Sequence, residues 1–260
     1  MSTALDRITK QAGEIILGKQ PIIKLALACL LAKGHLLIED LPGVGKTTLA
    51  HLLAKLLGLE YQRIQFTSDL LPADIIGVSV FERNSGEFRF HPGPIFSQLL
   101  LADEINRATP KAQSALLEAM EEHQVTAESE TRKLPAPFFV IATQNPAHQI
   151  GTFPLPESQL DRFLMRISLG YPDARSERAL LAGENPRDML ESVEPCLNPK
   201  QLQELQQQVG QVHVSAALLD YCQSLLSFSR TNPRFHHGLS PRAGLALLRA
   251  AKAWALLEGR

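Results

Sequence analysis

The alternation of apolar and polar positions divides this chain into a part that mixes strands with helices and a part that is helical throughout. In the first part, short runs bounded by turn residues predict strands, and stretches with helical spacing separate them. The predicted strands lie at 36–38, 61–66, 97–102, 138–142 and 163–169, and hairpins are predicted at 81–90 and 124–134, the second without an apolar face. Buried strands that alternate with helices are typical of a three-layer α/β domain with a parallel central sheet.

Helical spacing also predicts where the chain changes from alternating strands and helices to helices alone. In the first part, helices are predicted at 3–16, at 21–33 with Gly34 as its terminator, from 46 onward and at 110–122. Beyond 170–172 only helices are predicted, at 174–183, from 199, at 215–229 and at 241–258. We therefore place an α/β domain at 1–170 and a small helical domain at 171–260. The last predicted helix ends two residues before the chain does, which indicates a helical domain shortened at its C-terminus.

Composition narrows the class of function. The 260 residues are 45% hydrophobic and 20% charged, as in an ordinary globular protein. Lys and Arg number 26 against 27 Asp and Glu, so a net charge of −1 does not favour nucleic acid. No apolar run reaches transmembrane length, no signal peptide is evident, and three scattered cysteines lack metal-ligand spacing. We expect a cytoplasmic protein.

The stretch 35–57 has the strand, glycine-rich loop and helix order of a phosphate-binding loop. Gly43 and Gly45 allow a tight turn that brings backbone N–H groups to phosphate oxygens, Lys46 reaches the β- and γ-phosphates, and the Thr47 hydroxyl ligates Mg²⁺. The residues predicted to bind nucleotide in this loop are Pro42, Gly43, Val44, Gly45, Lys46, Thr47 and Thr48. The strict pattern has glycine where this chain has Asp40. The alternative is a structural turn with a surface lysine.

Two other predicted strands end in polar residues. Asp103 and Glu104 follow an apolar strand, and ligands of open parallel sheets bind at such carboxyl ends. Asp103 is suited to hold Mg²⁺, and Glu104 to orient or deprotonate a water. Thr143 or Asn145, after the strand at 138–142, is suited to bind that water or the γ-phosphate. The alternatives are two solvated acids and an Asn-Pro turn.

Two arginines stand at predicted helix edges, Arg162 in LDRF and Arg242 in SPR. Arginine suits phosphate recognition because its guanidinium is planar and always charged. Each arginine could equally form an ion pair on the protein surface. Its position in the sequence does not distinguish phosphate recognition from such an ion pair.

The order of these motifs resembles the AAA+ ATPases, and the strings between them are similar to the MoxR family. The strings are RIQFTSDLLPADIIG (63–77), LLLADEINRATPKAQSALLEAMEEHQVT (99–126), FFVIATQNPAHQIGTFPLPESQLDRF (138–163) and SPRAGLALLRAAKAWALLEGR (240–260). The similarity runs from about residue 15 to the C-terminus. It implies a P-loop AAA+ domain followed by an all-α lid, with ATP and Mg²⁺ as cofactors.

The resemblance also implies roles for single residues. By this resemblance, Lys46 and Thr47 belong to the Walker A motif. Asp103 and Glu104 form the Walker B motif, with Glu104 as the catalytic residue, and Asn145 is sensor 1. Arg162 becomes an arginine finger for the neighbouring subunit's ATP, and Arg242 becomes sensor 2. Segment 15–19, which contains Gly18, is placed near the adenine.

At the level of function, the resemblance implies a homo-oligomer, a hexameric ring, that remodels or activates protein complexes or inserts their cofactors. A von Willebrand factor A domain protein is an implied partner, and segments 78–95 and 124–134 are implied to contact substrate or line the pore. The alternatives are a chelatase-type motor subunit, a DNA-acting AAA+ motor, and a nucleotide-gated interaction module without turnover.

Overall fold

The computed structural model describes residues 2–84, 86–146, 151–183 and 186–260. Its strands are β1 (Leu36–Glu39), β2 (Tyr61–Gln65), β3 (Gly77–Glu82), β4 (Glu87–Pro92), β5 (Leu99–Asp103), β6 (Gln124–Ala127), β7 (Glu130–Lys133), β8 (Phe139–Gln144) and β9 (Met165–Ile167). Its α-helices are α1 (Ser2–Ile15), α2 (Gln20–Leu31), α3 (Lys46–Leu56), α4 (Pro72–Ile76), α5 (Pro110–Glu122), α6 (Glu157–Leu160), α7 (Ala174–Ala182), α8 (Pro186–Glu191), α9 (Pro199–Gln211), α10 (Ala216–Thr231) and α11 (Pro241–Leu257).

Five strands form one parallel sheet in the order β2-β5-β8-β1-β9. Alternate residues of the central strands enter two different apolar clusters, one on each face. Leu99 and Leu101 pack with α1, α2 and α3, while Leu100 and Ala102 pack with α5. The sheet is therefore covered by helices on both faces, and the predicted three-layer α/β architecture is confirmed.

A parallel sheet has two different ends, which we call its carboxyl edge and its amino edge. The carboxyl edge carries the residues that follow β1, β5 and β8, and the amino edge carries those that precede β1 and β9. This distinction decides which side chains can meet.

Two predictions at strand and helix ends were wrong in detail. The predicted strand at 163–169 pairs with β1 through only three residues, and just before them the backbone N–H of Leu164 donates to the carbonyl of His35 (2.9 Å). Gly34 does not end α2 in the left-handed conformation, which Lys33 adopts instead (φ 55°). Gly34 is needed for space, since a Cβ there would lie 2.3 Å from the Cβ of Leu164.

The hairpins also differ from the prediction. The first is longer, with β3 and β4 paired from Gly77 to Pro92, while Ser85 in its turn lies outside the described residues. The second was predicted to have no apolar face, which is wrong, because Val125 and Leu134 are buried in the cluster beneath α5. The two hairpins touch where Glu128 accepts hydrogen bonds from the Ser79 backbone N–H (3.2 Å) and hydroxyl.

After β9 the described chain is helical. Helix α11 packs against α2 and α9, and Lys24 on α2 pairs with Glu258 (2.8 Å) just beyond α11. Helix α9 is anchored to α2 by Gln206, whose amide donates to the carbonyl of Leu30 (2.8 Å). The division of the chain at residue 170 stays a prediction. Within the described residues, no helix is both long enough and apolar enough to cross a membrane.

Candidate nucleotide-binding site

The loop between β1 and α3 has the backbone of a phosphate cradle. Gly43 (φ 82°) and Gly45 (φ 94°) both lie in the left-handed region that side chains disfavour. A Cβ at either position would meet no atom within 4 Å, so the loop borders open space. Helix α3 begins at Lys46 directly behind the loop, with Thr47 and Thr48 in its first turn, and a helix N-terminus favours an anion. This backbone geometry is suited to bind phosphate oxygens.

Asp40, the departure from the strict P-loop pattern, has a structural role. Its carboxylate accepts hydrogen bonds from the N–H of Leu41 (2.8 Å), the hydroxyl of Ser168 (2.9 Å) and the N–H of Gly170 (2.6 Å). Burial alone would raise the pKa of Asp40, but the hydrogen bonds from Gly170, Leu41 and Ser168 outweigh it and lower the pKa. The aspartate thus ties the start of the loop to the segment after β9.

Lys46 is almost fully buried at 8% exposure. Its ammonium donates to the carbonyls of Asp40 (2.5 Å) and Leu41 (3.2 Å) and to Oδ1 of Asn145 (3.1 Å). Burial lowers the pKa of Lys46, and the nearby carboxylates of Asp40, Asp103 and Glu104 oppose that shift. The lysine of the loop and the amide after β8 therefore form one hydrogen-bonded group.

The two acids at the end of β5, Asp103 and Glu104, are held by the neighbouring strand β8. The Thr143 hydroxyl donates to Oδ1 of Asp103 (2.5 Å) and accepts from the N–H of Glu104 (2.9 Å). Glu104 adopts the left-handed conformation (φ 56°), and its Oε1 accepts from the amide of Asn145 (3.3 Å). Lys46, Asp103, Glu104 and Asn145 thus meet at the carboxyl edge. Such a group can bind a phosphate, hold a hydrated Mg²⁺ and position a water.

Three polar side chains in this site were not predicted. Arg63 donates to Asp103, Gln65 donates to Oε2 of Glu104 (3.0 Å), and Arg107 pairs with the same oxygen (2.8 Å). A signal was present, because Arg63 and Gln65 are two residues apart near the carboxyl end of a predicted strand and therefore share one face.

A cavity of about 450 Å³ adjoins the loop and has the mixed lining that suits a purine. Apolar and polar residues from three segments line it: Ile15, Ile16, Leu17, Lys19, Gly43, Val44, Gly45, Thr48, Gly170, Tyr171, Pro172, Glu177, Leu180 and Leu181. Gly18 (φ 71°) lies beside this cavity and packs against the start of α7, where a Cβ would come within 2.7 Å of the Ser176 hydroxyl. Pro42 is exposed on the loop itself.

Arg162 and Arg242 do not join this group. Arg162 precedes β9 at the amino edge, donates to the carbonyl of Leu117 (2.6 Å) and pairs with Glu121 (2.9 Å). Arg242, on α11, pairs with the same Glu121 and lies 3.9 Å from a carboxylate oxygen of Asp161. Both arginines are bound to carboxylates of their own chain, on the opposite edge of the sheet from Lys46.

A parallel sheet with a P-loop after β1, two acids after β5 and an amide after the intervening strand defines a P-loop nucleotide-binding protein of the AAA+ class. Comparison with known proteins agrees. Residues 35–165 match the family described as "ATPase family associated with various cellular activities (AAA)", and residues 227–260 match the AAA lid domain.

Comparison with individual relatives identifies the family within the AAA+ class. The chain is 39% identical over 267 residues to chaperone MoxR1 of Mycobacterium tuberculosis, covering 98% of this chain and 70% of that protein. It is 46% identical over 256 residues to the uncharacterized protein YeaC of Bacillus subtilis, covering 98% and 80%. The crystal structure of "a putative ATPase" from Cytophaga hutchinsonii superposes with a TM-score of 0.89 at 37% identity, covering 100% and 81%. The chain belongs to the MoxR family of AAA+ ATPases.

Proposed function

We propose that this ATPase requires Mg²⁺, forms a hexameric ring and uses ATP hydrolysis to remodel or activate protein complexes. The observation that supports the ring is the division of the site between the two edges of the sheet. Lys46 and Glu104 lie at the carboxyl edge, and Arg162 and Arg242 lie at the amino edge. A complete site then needs two subunits.

The carboxyl edge supplies the chemistry of one subunit. Lys46 binds the triphosphate as its main cation, while Thr47 and Asp103 hold Mg²⁺, which neutralises charge on the phosphate oxygens. Glu104 orients the attacking water and accepts its proton. Asn145, already hydrogen-bonded to both Lys46 and Glu104, donates its amide to the γ-phosphate or to the water.

The amino edge supplies the arginine for the next subunit. The four residues of β1 span about 13 Å, so Arg162 at one edge is too far from the P-loop of its own chain at the other. A head-to-tail ring brings the amino edge of one subunit to the carboxyl edge of its neighbour. Arg162 then stabilises the charge that develops in the transition state. Arg242, held to Glu121 beside Arg162, enters from the same side.

The partner that we propose is a protein, with a von Willebrand factor A domain protein as one candidate. The hairpins at 78–95 and 124–134 are suited to contact it, since the β3–β4 hairpin exposes Phe81 and Phe88. The relative from Mycobacterium tuberculosis is named a chaperone. The three cysteines, Cys29, Cys196 and Cys222, are free thiols, which supports a reducing, cytoplasmic location.

The test mixes two inactive variants. Arg162→Ala should bind ATP but hydrolyse it about 10³- to 10⁵-fold more slowly, equivalent to about 4 to 7 kcal/mol of barrier. Glu104→Gln should be equally inactive because of a defect on its own side of the site. In an equal mixture that exchanges subunits, about a quarter of interfaces combine an intact Glu104 with an intact Arg162 from the neighbour. Phosphate release should reappear.

The matched control mixes Glu104→Gln with Lys46→Ala. Both defects lie in the same half of the site, so no interface in that mixture is complete, and it should stay inactive. Should Arg162→Ala and Glu104→Gln subunits co-assemble by native mass spectrometry and still release no phosphate, the action of Arg162 across an interface is refuted.

A further inference from the structure

Arg63 lies against the carboxylate that we propose as a ligand of Mg²⁺. Its Nε and Nη2 both donate to Oδ2 of Asp103, at 3.1 and 2.7 Å. Asp103 is buried, with a side chain only 10% exposed, whereas the Arg63 side chain is 49% exposed. A buried carboxylate needs a compensating partner, and this two-bond contact provides a fixed positive charge beside it.

The same guanidinium also reaches the second acid through Gln65. Nη2 of Arg63 donates to Oε1 of Gln65 (2.9 Å), and Nε2 of Gln65 donates to Oε2 of Glu104 (3.0 Å). An amide has one accepting and one donating end. Because Arg63 occupies the accepting end, the donating end is turned toward Glu104. One arginine on β2 therefore orients both acids at the end of β5.

We propose that Arg63 is a positioning residue that sets how strongly nucleotide binding depends on Mg²⁺ and that aligns Glu104 through Gln65. This inference rests on the proposed placement of Mg²⁺ at Asp103. Without metal, the Arg63 charge offsets Asp103, so an anionic triphosphate can approach the carboxylate. When Mg²⁺ is bound, Arg63 and the metal compete for the negative charge of the Asp103 carboxylate. The arginine therefore lowers the affinity of the site for Mg²⁺.

Charge and geometry can be separated by two substitutions. Arg63→Met removes the charge, so metal-free nucleotide should bind more weakly and the Mg²⁺ complex relatively more tightly. The ratio of the dissociation constants without and with Mg²⁺ should rise about threefold to tenfold, as expected for one partly screened charge nearby. Arg63→Lys keeps the charge, but its side chain ends one atom short of Nη2 and lacks the planar fork, so it keeps the contact with Asp103 at the expense of the contact with Gln65. Its ratio should stay within about twofold of wild type, while kcat falls because Glu104 is no longer aligned.

The probe is adenylyl imidodiphosphate, titrated by calorimetry with excess EDTA and with Mg²⁺. Arg166→Met is the matched control, because Arg166 pairs with Glu39 (3.2 Å) on β1 and extends from β9. Strand β9 lies three strand spacings, about 14 Å, from β5, which carries Asp103. The control loses the same charge, and its ratio should match wild type. Thermal melting of each variant shows that it is folded, and Arg63→Gln replaces Arg63→Met if the latter melts below the assay temperature.

The outcomes distinguish this inference from the proposed function. A wild-type chain that binds the analogue equally well with EDTA and with Mg²⁺ contradicts the proposed metal site itself. With a metal-dependent wild type, an unchanged ratio in the uncharged variant overturns the role of Arg63. An equal rise in Arg63→Lys or in Arg166→Met also overturns it, because the effect would then not come from the charge at this position.

Discussion

The substitution Asp40→Asn tests whether the residue that breaks the strict P-loop pattern holds the loop in place. The asparagine has nearly the same shape, but one of its two terminal atoms is an N–H donor. The carboxylate of Asp40 faces three donors, from Leu41, Ser168 and Gly170. Whichever way the amide turns, at least one donor meets another donor and loses its partner.

The expected cost follows from the number and kind of bonds. A buried donor left without a partner costs about 1 to 3 kcal/mol, and the other hydrogen bonds lose the strengthening that a charged acceptor gives. We expect Asp40→Asn to lower the free energy of unfolding by about 2 to 4 kcal/mol. For a chain of this size, that corresponds to a fall of roughly 4 to 16 °C in melting temperature.

Glu39→Gln is the matched control, since it makes the same acid-to-amide change one residue earlier. The Glu39 side chain is 30% exposed and accepts from Gln144 (2.8 Å) and Arg166 (3.2 Å). Contacts this exposed are worth about 0 to 1 kcal/mol, so its melting temperature should fall by at most about 4 °C. The melting temperatures of both variants are compared by calorimetry. If Asp40→Asn melts no lower than Glu39→Gln, Asp40 does not hold the loop.

The pH dependence gives a second measurement of the same contact. The pKa of Asp40 is below its ordinary value of 3.8 in the folded chain, so the charged form is favoured by folding. Its stabilisation is therefore fully present above pH 3.8 and is lost as pH falls through the folded-state pKa. The difference in unfolding free energy between wild type and Asp40→Asn should be constant at neutral pH and shrink in acid.

Two further predictions concern nucleotide binding and packing. Lys46→Ala should abolish tight ATP binding, whereas Glu104→Gln should bind ATP and not hydrolyse it; equal binding by the two variants in calorimetry would contradict this division of roles. Gly34→Ala should destabilise the chain by about 1 to 3 kcal/mol, because its Cβ would lie 2.3 Å from Leu164. Gly210→Ala, in α9 with no atom within 4 Å of the added Cβ, should be neutral or stabilising by up to about 1 kcal/mol, and chemical denaturation compares the two.

Local sequence was sufficient for the three-layer architecture, for the P-loop and for the meeting of Glu104 with Asn145. The P-loop is one contiguous segment between a strand and a helix, so its residue order determines its geometry. Glu104 and Asn145 each follow a buried strand, and β5 and β8 are parallel neighbours, so their ends meet. The functional roles of Lys46, Glu104 and Asn145 stay predictions until the variants are measured.

Other features depend on contacts between distant segments, which no local pattern encodes. The sequence predicts Gly34 as a helix terminator, but glycine is required there because a side chain would collide with Leu164 on the neighbouring segment. The spacing of Arg63 and Gln65 indicates a shared face of one strand, but it does not identify their partners, Asp103 and Glu104, which lie about forty residues away. The buried Val125 was missed because a single apolar residue in a polar hairpin gives no periodic signal.

The arginines of the amino edge illustrate the same limit and have a consequence for assembly. Arg162, Glu121 and Arg242 come from the segment before β9, from α5 and from α11, and Glu121 joins the two arginines. Each arginine alone has the sequence signature of a surface ion pair, and in the single chain each is one. Because the two arginines share one carboxylate, a neighbouring subunit that draws one of them away leaves Glu121 to the other and strengthens that remaining pair. In the ring that we propose, a phosphate that binds one of these arginines therefore changes the pairing of the other, which would link α11 and the segment before β9 to the nucleotide of the adjacent subunit.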